Sequence, residues 1–480
     1  MTALLAKGYL LVLVNVVDYG TPFIRMIMLS HRLSLRELGI ASALVATYST
    51  FELMTDFNLY RFVFSTPRQR YEEALASAHA LSIARGATVG SVAVAASPLV
   101  AALLRLQADW IDFALLGAVI FIRSMEHLGP RVAERDYRYG VQFQVSLIAN
   151  ALSLTALATA LYFAPTGKAI LVSLFVQAIA AVIASRARAG TPYRTNFRSP
   201  LFQAAFRFGY PLMFNGFGVG ASNQGDRFIV GGLLGLSTLG VYSIATLVTT
   251  VPMNMIARMD STFLLAALYN GSNLSSAIHD ARLKLAASLL PLVSAFYALG
   301  ILTLMNIVVP LVFGQRFFLS REAVALLALA AFFRLARADP FTALMLNQGR
   351  TRRLALMNVS SASALLFEAG LILAYLSFES ALMGRLLGEL VATVVTLFLA
   401  RRQFSVAFRD YVVSMGVGCG LLGCSIVLSF MTPVGQQPLT SLAALLGLGA
   451  LCGASAARTA PRLFHAGFPG HGLYFGHRKV

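Results

Sequence analysis

Apolar runs of about 18 to 25 residues recur along the whole chain, and each is long enough to cross a hydrocarbon core about 30 Å thick as a helix. A spanning strand would be about half as long and would alternate polar with apolar residues. Because lipid offers no water to exposed backbone groups, we expect the runs to be α-helices. Hydrophobic residues make up 58% of the 480-residue chain and charged residues only 12%, so no soluble domain is expected between the runs.

The runs define fourteen predicted spans, and the predicted fold class is an all-α polytopic membrane protein. An even number of spans puts both termini on one face of the membrane. The spans lie near residues 8–29, 37–59, 82–104, 110–128, 139–163, 168–186, 204–224, 236–257, 285–306, 322–346, 354–377, 380–400, 411–431 and 439–457. Between the seventh and eighth spans, residues 223–227 are expected to form a short polar turn.

Arginine is distributed unevenly between the two sets of loops that these spans define. One set carries clusters at residues 68–70, 131–138, 350–353 and 401–402, whereas the opposite set carries few basic residues. Since basic loops remain in the cytoplasm, both termini are predicted to be cytoplasmic. The same asymmetry explains the net charge of +18 as a consequence of topology, so no nucleic-acid partner is expected.

A short internal repeat divides the chain into two halves. The sequence LGIAS at 38–42 returns as LGVYS at 239–243, and each copy follows a loop and opens a predicted span. The two halves therefore enter the membrane in the same direction, as in transporters with parallel repeats, whose substrate site lies between the repeats near the midplane. We predict a six-helix bundle at 1–190, a pseudo-symmetric six-helix bundle at 191–405, and two additional helices with a cytoplasmic tail at 406–480.

Several charged residues fall at mid-depth in the predicted spans, where each costs about 2.5–3.5 kcal/mol on insertion scales. Arg334 and Arg337 lie three residues apart on one face of the tenth span, and Arg25 lies toward the outer end of the first. These guanidinium groups are candidates for binding an anionic substrate. The candidates for proton or cation coupling, or for gating, are the carboxylates Asp18, Glu52, Asp56, Glu368 and Glu389.

A structural role is the alternative for all of these charges. The acids and arginines could pair across helices and fix the packing, and Arg25 could extend outward to the membrane interface. Arg85, Arg123, Glu126 and His127 fall close to the cytoplasmic boundary, where we expect them to extend to the interface.

No catalytic, metal or cofactor site is expected. The three cysteines fall inside late apolar runs and lack metal-ligand spacing. No ATP-hydrolysing module is visible, and the external loops are too short to contain the active site of a polymerase or glycosyltransferase. The chain is therefore predicted not to be an enzyme.

Two stretches resemble a known family. The sequence DRFIVGGLLG at 226–235, followed by LGVYSIA at 239–245, is similar to the seventh-to-eighth span region of polysaccharide flippases. These belong to the multidrug/oligosaccharidyl-lipid/polysaccharide exporter superfamily. Arg32 and the sequence LGI at 38–40 are similar to the family's opening segment. The chain departs from the family in its few lysines and in Pro252 within the eighth span.

The resemblance implies a carrier of the bacterial inner membrane that moves an oligosaccharide on a polyprenyl diphosphate to the periplasmic leaflet by alternating access. The product would be a surface polysaccharide such as O-antigen, capsule or exopolysaccharide. Basic cavity residues would receive the diphosphate, and this chain offers Arg334, Arg337 and Arg25. The implied partners are the lipid-linked oligosaccharide, the bilayer, and a polysaccharide polymerase with export machinery.

Two other functions remain open. A cation-coupled antiporter of drugs or small molecules, from the same superfamily, is disfavoured by the two arginines at midplane, which would repel a cationic drug. A membrane-embedded polysaccharide polymerase or ligase is disfavoured by the short external loops.

Overall fold

The computed structural model describes residues 2–55, 57–136, 138–269, 276–347, 351–401 and 408–431, which are almost entirely helical. Sixteen α-helices follow one another in this part of the chain. They are α1 (Thr2–Arg32), α2 (Leu35–Met54), α3 (Leu59–Ser65), α4 (Tyr71–Leu103), α5 (Trp110–Arg123), α6 (Gly129–Val132), α7 (Tyr139–Phe163), α8 (Ala169–Arg188), α9 (Pro200–Leu233), α10 (Leu236–Tyr269), α11 (Ser276–Phe313), α12 (Arg321–Asn347), α13 (Thr351–Ser361), α14 (Ser363–Tyr375), α15 (Phe378–Ala400) and α16 (Phe408–Met431).

The first thirteen predicted spans all fall on these helices. The helix α7 has the predicted bounds, and the eleventh span is divided between α13 and α14. Seven helices of the described part are long and apolar enough to cross a membrane: α4, α7, α8, α10, α11, α15 and α16. The fourteenth predicted span, 439–457, lies outside the described residues.

The polar turn expected at residues 223–227 is wrong, because α9 continues through these residues to Leu233. The chain turns instead at Leu234 and Gly235, where the glycine has a φ of 91°. Asp226, within the expected turn, is buried and ion-paired inside the protein. Since its carboxylate finds a partner in the protein, the helix can pass through this polar stretch without water.

The two copies of the repeat meet at a tight crossing of α2 and α10. A Cβ atom added at Gly39 would lie 1.9 Å from the Leu236 carbonyl oxygen, and one added at Gly240 would lie 2.6 Å from the Leu35 carbonyl oxygen. On each helix the leucine lies four residues before the glycine. The glycine of each helix therefore contacts the equivalent leucine carbonyl of the other helix. Only glycine allows two helix backbones to approach this closely.

Short loops are attached to helix ends beside this crossing. Arg316 donates from Nη2 to the carbonyl oxygens of Ser30 and Leu33, at the C-terminal end of α1, where carbonyl groups have no partner in the helix. The carboxylate of Glu37 accepts a hydrogen bond from the Gly167 N–H at 2.6 Å. The loops that carry few basic residues are thus tied to α1 and α2.

The helices pack into two compact units whose segments alternate along the chain. The first unit comprises Met1–Met255, Met305–Leu327 and Ala355–Ala392, and the second comprises Ile256–Leu304, Ala328–Leu354 and Thr393–Val480. The first unit contains both copies of the repeat. The predicted division into bundles at 1–190 and 191–405 remains a prediction.

The second unit is built around close packing of α11, α12 and α16. A Cβ atom added at Gly418 would lie 3.0 Å from the Phe332 ring and 3.2 Å from the Ala295 side chain. The buried hydroxyl of Tyr411 donates to the Ala336 carbonyl oxygen at 2.8 Å. This bond satisfies the one polar group that the tyrosine brings into the packed helices.

Candidate functional site

A polar cavity of about 190 Å³ lies in the first unit, between α1, α7 and α8 and beside the end of α5. Its charged lining consists of three arginines and two acids, which gives an excess of one positive charge. These residues are Asp18, Arg25, Arg123, Glu126 and Arg131. Ionisable side chains within membrane-spanning helices are costly, so a cluster of them around a cavity marks a candidate substrate site.

The helix α7 turns one polar face toward this cavity. Gln142, Ser146, Asn150 and Ser153 are spaced by four, four and three residues, which places them on one side of the helix. None of these side chains is more than 7% exposed. The sequence analysis missed this face because it considered only charged residues at mid-depth. The spacing of the uncharged polar residues within an apolar run was the available signal.

Arg25 lies at the Ser153 end of this polar face. It is 8% exposed, and its Nη2 donates to Ser153 Oγ at 2.7 Å. The Ser153 hydroxyl itself donates to the Asn150 carbonyl oxygen. Among the described residues, the buried Nε of Arg25 has no hydrogen-bond partner. Because an unpaired buried donor costs about 1–3 kcal/mol, this N–H is well placed to bind an anion that enters the cavity.

Arg123 and Glu126 line the cavity, which corrects the expectation that they extend to the membrane interface. Arg123 ends α5, and its Nε lies 3.6 Å from Glu126 Oε2. Arg85, which was expected at the same boundary, pairs instead with the candidate coupling residue Glu52 at 2.7 Å. Depth along a predicted span therefore did not reveal which of these charges face the cavity.

A second charged cluster lies in the first unit where α9, α10, α14 and α15 meet. Asp226 Oδ2 accepts hydrogen bonds from Arg385 Nη1 at 2.8 Å and from the Tyr242 hydroxyl at 2.7 Å. Glu368 is an electrostatic neighbour of Asp226, Arg385 and Glu389. It is 1% exposed, and among the described residues its Oε2 has no hydrogen-bond partner. Arg227 is a second electrostatic partner of Asp226, so the described cluster combines two arginines with three carboxyl groups.

The position of Glu368 and Glu389 within their predicted spans identifies both glutamates of this cluster but not its ion pair, because Asp226 falls in the predicted turn and Arg385 near the start of the twelfth span. An aspartate and an arginine that both interrupt apolar stretches were the available signal, although nothing local indicates that residues 159 positions apart are partners.

The two arginines of α12 belong to the second unit, whereas Arg25 and Asp18 line the cavity of the first. Arg337 is buried and Arg334 is half-buried. Arg337 is an electrostatic neighbour of Tyr411. A role for this pair in substrate binding remains a prediction.

The candidate coupling residue Asp56 lies outside the described residues. In the described part of the chain, no group of three or more histidine, cysteine, aspartate or glutamate residues is placed to hold a metal ion.

Two histidines contact the segments that follow α5 and α8. His79 Nε2 accepts from the Leu128 N–H at 3.1 Å, and His127 Nδ1 accepts from the Gly129 N–H at 2.9 Å. Both bonds require an unprotonated ring nitrogen. Burial lowers the pKa of the His127 imidazole, which lies in the non-helical segment between α5 and α6. The Tyr193 ring stacks on His79 with centroids 4.3 Å apart, so neutral histidines help to hold this segment against α4.

The helices define the class of protein: an all-helical, multi-pass membrane protein, with a polar cavity among its helices. The lipid II flippase MurJ, in an inward closed conformation, has this fold with a TM-score of 0.67 and 10% identity, over 93% of this chain and 98% of that chain. An inward-facing MATE family multidrug resistance transporter of the MOP superfamily has a TM-score of 0.59 and 15% identity, over 82% of this chain and 96% of that chain. A MOP superfamily transporter from Pyrococcus furiosus has a TM-score of 0.52 and 14% identity, over 82% of this chain and 94% of that chain.

The chain belongs to the polysaccharide biosynthesis protein family, whose profile matches residues 28–320. No curated protein sequence matches it significantly. The chain is therefore a polysaccharide biosynthesis protein with the fold that MOP superfamily transporters share. The predicted all-α polytopic fold and the resemblance to this superfamily are therefore confirmed.

Proposed function

We propose that the protein is a flippase that moves a polyprenyl-diphosphate-linked oligosaccharide across the bacterial inner membrane for the synthesis of a surface polysaccharide. Membership of the polysaccharide biosynthesis family supports the pathway. The fold shared with a lipid II flippase supports a lipid-linked substrate. Both termini are placed in the cytoplasm because the arginine-rich loops lie on their side of the membrane.

The observation that carries this proposal is the positively charged cavity of the first unit. A diphosphate presents only hydrogen-bond acceptors and negative charge, and guanidinium groups match its oxygens in both geometry and charge. Arg25 has a buried N–H to offer, and Arg123 and Arg131 add positive charge to the same lining. A cationic drug would be repelled by this excess, which disfavours the antiporter alternative.

Alternating access requires that substrate binding be coupled to a source of energy or to the gradient of the substrate itself. Buried carboxyl groups can bind a proton or cation as the transporter changes conformation, and Glu368 and Glu389 are the buried candidates. Arg334 and Arg337 are proposed as further ligands of the diphosphate. The remaining acids proposed for coupling or gating are Asp18, Glu52 and Asp56.

Arg25→Met tests the proposal in a strain whose own copy of the gene has been deleted. The variant is expected to remain in the membrane but to abolish surface polysaccharide, because the diphosphate loses its buried donor. Lipid-linked oligosaccharide is then expected to accumulate in the cytoplasmic leaflet. Arg188→Met removes an exposed arginine at the end of α8 and provides the matched control, with normal export.

Normal export by Arg25→Met would remove this residue from the substrate site. Accumulation of single repeat units outside the membrane in the deletion strain would indicate a polymerase instead. Unchanged polysaccharide together with increased drug sensitivity would support the antiporter. The double variant Arg334→Ala/Arg337→Ala tests the α12 pair separately, with loss of export expected if both arginines bind the diphosphate.

A further inference from the structure

The polar side chains of the cavity bond to one another in two groups. Gln177 Nε2 donates to Asn150 Oδ1 at 2.7 Å, and Asn150 Nδ2 donates to Asp18 Oδ1 at 3.3 Å. One turn earlier on α7, Gln142 Nε2 donates to Ser146 Oγ at 3.3 Å. Asp18 thus accepts from the Asn150 amide, and Ser146 accepts from the Gln142 amide.

The hydrogen bond from Nε2 to Ser146 Oγ orients the Gln142 amide, with its NH₂ group toward the serine. The carbonyl oxygen Oε1 of Gln142 then points away from Ser146. The glutamine is 6% exposed and lines the cavity, and among the described residues its Oε1 has no hydrogen-bond partner. It is therefore a fixed, buried acceptor that lacks a donor.

The unpaired donor of the cavity lies far from this acceptor. Arg25 is bonded to Ser153, which lies eleven residues after Gln142 on α7, and this corresponds to about 16 Å along the helix axis at 1.5 Å per residue. A diphosphate alone is too short to reach both ends. It also offers no donor to the Gln142 carbonyl oxygen, whereas a sugar hydroxyl does.

We infer that the polar face of α7 is a glycan-binding surface, on which Gln142 Oε1 accepts a hydrogen bond from a sugar hydroxyl while Arg25 holds the diphosphate. The inference rests on the proposed function and adds the orientation of the substrate. Since α7 begins beside the arginine cluster at 131–138, the glycan extends toward the arginine-rich end of the unit and the diphosphate lies deeper.

Binding to the purified full-length protein tests this inference with two probes. One is a short-chain polyprenyl diphosphate, and the other is the same lipid carrying a neutral trisaccharide. By calorimetry, the wild type is expected to bind the glycosylated probe about tenfold more tightly, as one additional hydrogen bond provides. Gln142→Met is expected to remove this difference and to leave the affinity for the bare probe unchanged. Gln142→Leu serves as the second variant.

The control is Gln144→Leu, which removes an exposed glutamine two residues further along α7 and is expected to leave both affinities unchanged. Asp18→Asn tests whether the diphosphate lies in this cavity. The variant should bind both probes several-fold more tightly, since a negative charge leaves the cavity, and it should keep the preference for the glycosylated probe. A purely structural defect would lower the affinity for both probes.

Equal affinity of the wild type for the two probes would overturn the inference and leave the proposed function standing. The inference would also be overturned if Gln142→Met lowered the affinity for both probes by the same factor. If neither probe binds the wild type, the proposed function fails and the glycan-binding surface fails with it.

Discussion

The buried ion pair between Asp226 and Arg385 can be broken from either side, and the structure predicts unequal costs. Arg385→Met leaves Asp226 without its cation at a site where the two side chains are only 4% and 11% exposed. Removing one partner of a buried pair costs about 3–5 kcal/mol. Arg385 is also an electrostatic partner of Glu368, so removing the arginine takes this cation away from two carboxyl groups. We therefore expect the upper end of the range, about 5 kcal/mol.

Asp226→Asn is expected to cost less, about 2–3 kcal/mol, because the amide keeps the size of the side chain and can still bond its neighbours. Arg385 also retains Glu368 as an electrostatic partner in this variant. The double variant Asp226→Asn/Arg385→Met removes the unpaired aspartate. It should be more stable than Arg385→Met alone by about 2 kcal/mol or more, since two neutral groups replace a broken pair.

Unfolding of the purified protein by SDS in mixed micelles, followed by circular dichroism, measures these differences. Arg188→Met, at an exposed position, is the control and should change stability by less than about 0.5 kcal/mol. Equal losses for Arg385→Met and Asp226→Asn would refute the idea that the arginine serves more than one carboxyl group. A double variant as unstable as Arg385→Met would show that the two residues are not coupled.

Two further predictions concern the repeat crossing and the histidines. Gly39→Ala places a Cβ atom against the Leu236 carbonyl and should cost about 1–3 kcal/mol in the same assay, whereas Gly20→Ala, in open space on α1, should be neutral or stabilising by up to about 1 kcal/mol. Equal effects would contradict the close approach of α2 and α10. Because burial lowers the folded-state pKa of His127 below its ordinary value of about 6.5, the unfolded chain binds more protons and stability should fall as the pH drops through that value. Thermal unfolding should show a weaker pH dependence for His127→Gln than for the wild type or for His31→Gln, an exposed control; equal dependence would exclude His127 as its source.

The membrane-spanning helices could be predicted because one physical requirement dominates them. A backbone in lipid must bond to itself, so the length and apolarity of a run nearly determine that it is a helix. The bounds of α7 followed directly from this requirement. The turn expected at residues 223–227 failed for the same reason. A polar stretch marks a helix end only if it meets water, and whether Asp226 meets water or Arg385 depends on a residue 159 positions away.

The candidate site was predictable only where its residues are charged. Asp18 at mid-depth and Arg25 toward the outer end of the first span are both charges inside an apolar run, and such charges need an explanation. Gln142 carries no charge, and an isolated glutamine in an apolar run is unremarkable until its spacing from Ser146 and Asn150 is compared with the helical period. Arg123 was assigned to the interface by its depth, although its direction around α5 decides what it faces. The depth of a residue in a span follows from counting residues, whereas the neighbour that its side chain faces depends on how the surrounding helices are packed.

The interactions at the two ends of the first unit differ in kind, and this difference bears on how such a transporter could change conformation. At the arginine-poor end, α2 and α10 meet through glycine and backbone. At the arginine-rich end, Arg123 and Glu126 line the cavity with charges. Separating α2 from α10 forfeits dispersion contacts, which are individually weak, but it also moves Glu37 away from the Gly167 N–H. Because this charged hydrogen bond lies beside the crossing, we expect the Glu37–Gly167 bond to contribute more to holding the crossing closed than the glycine contact does.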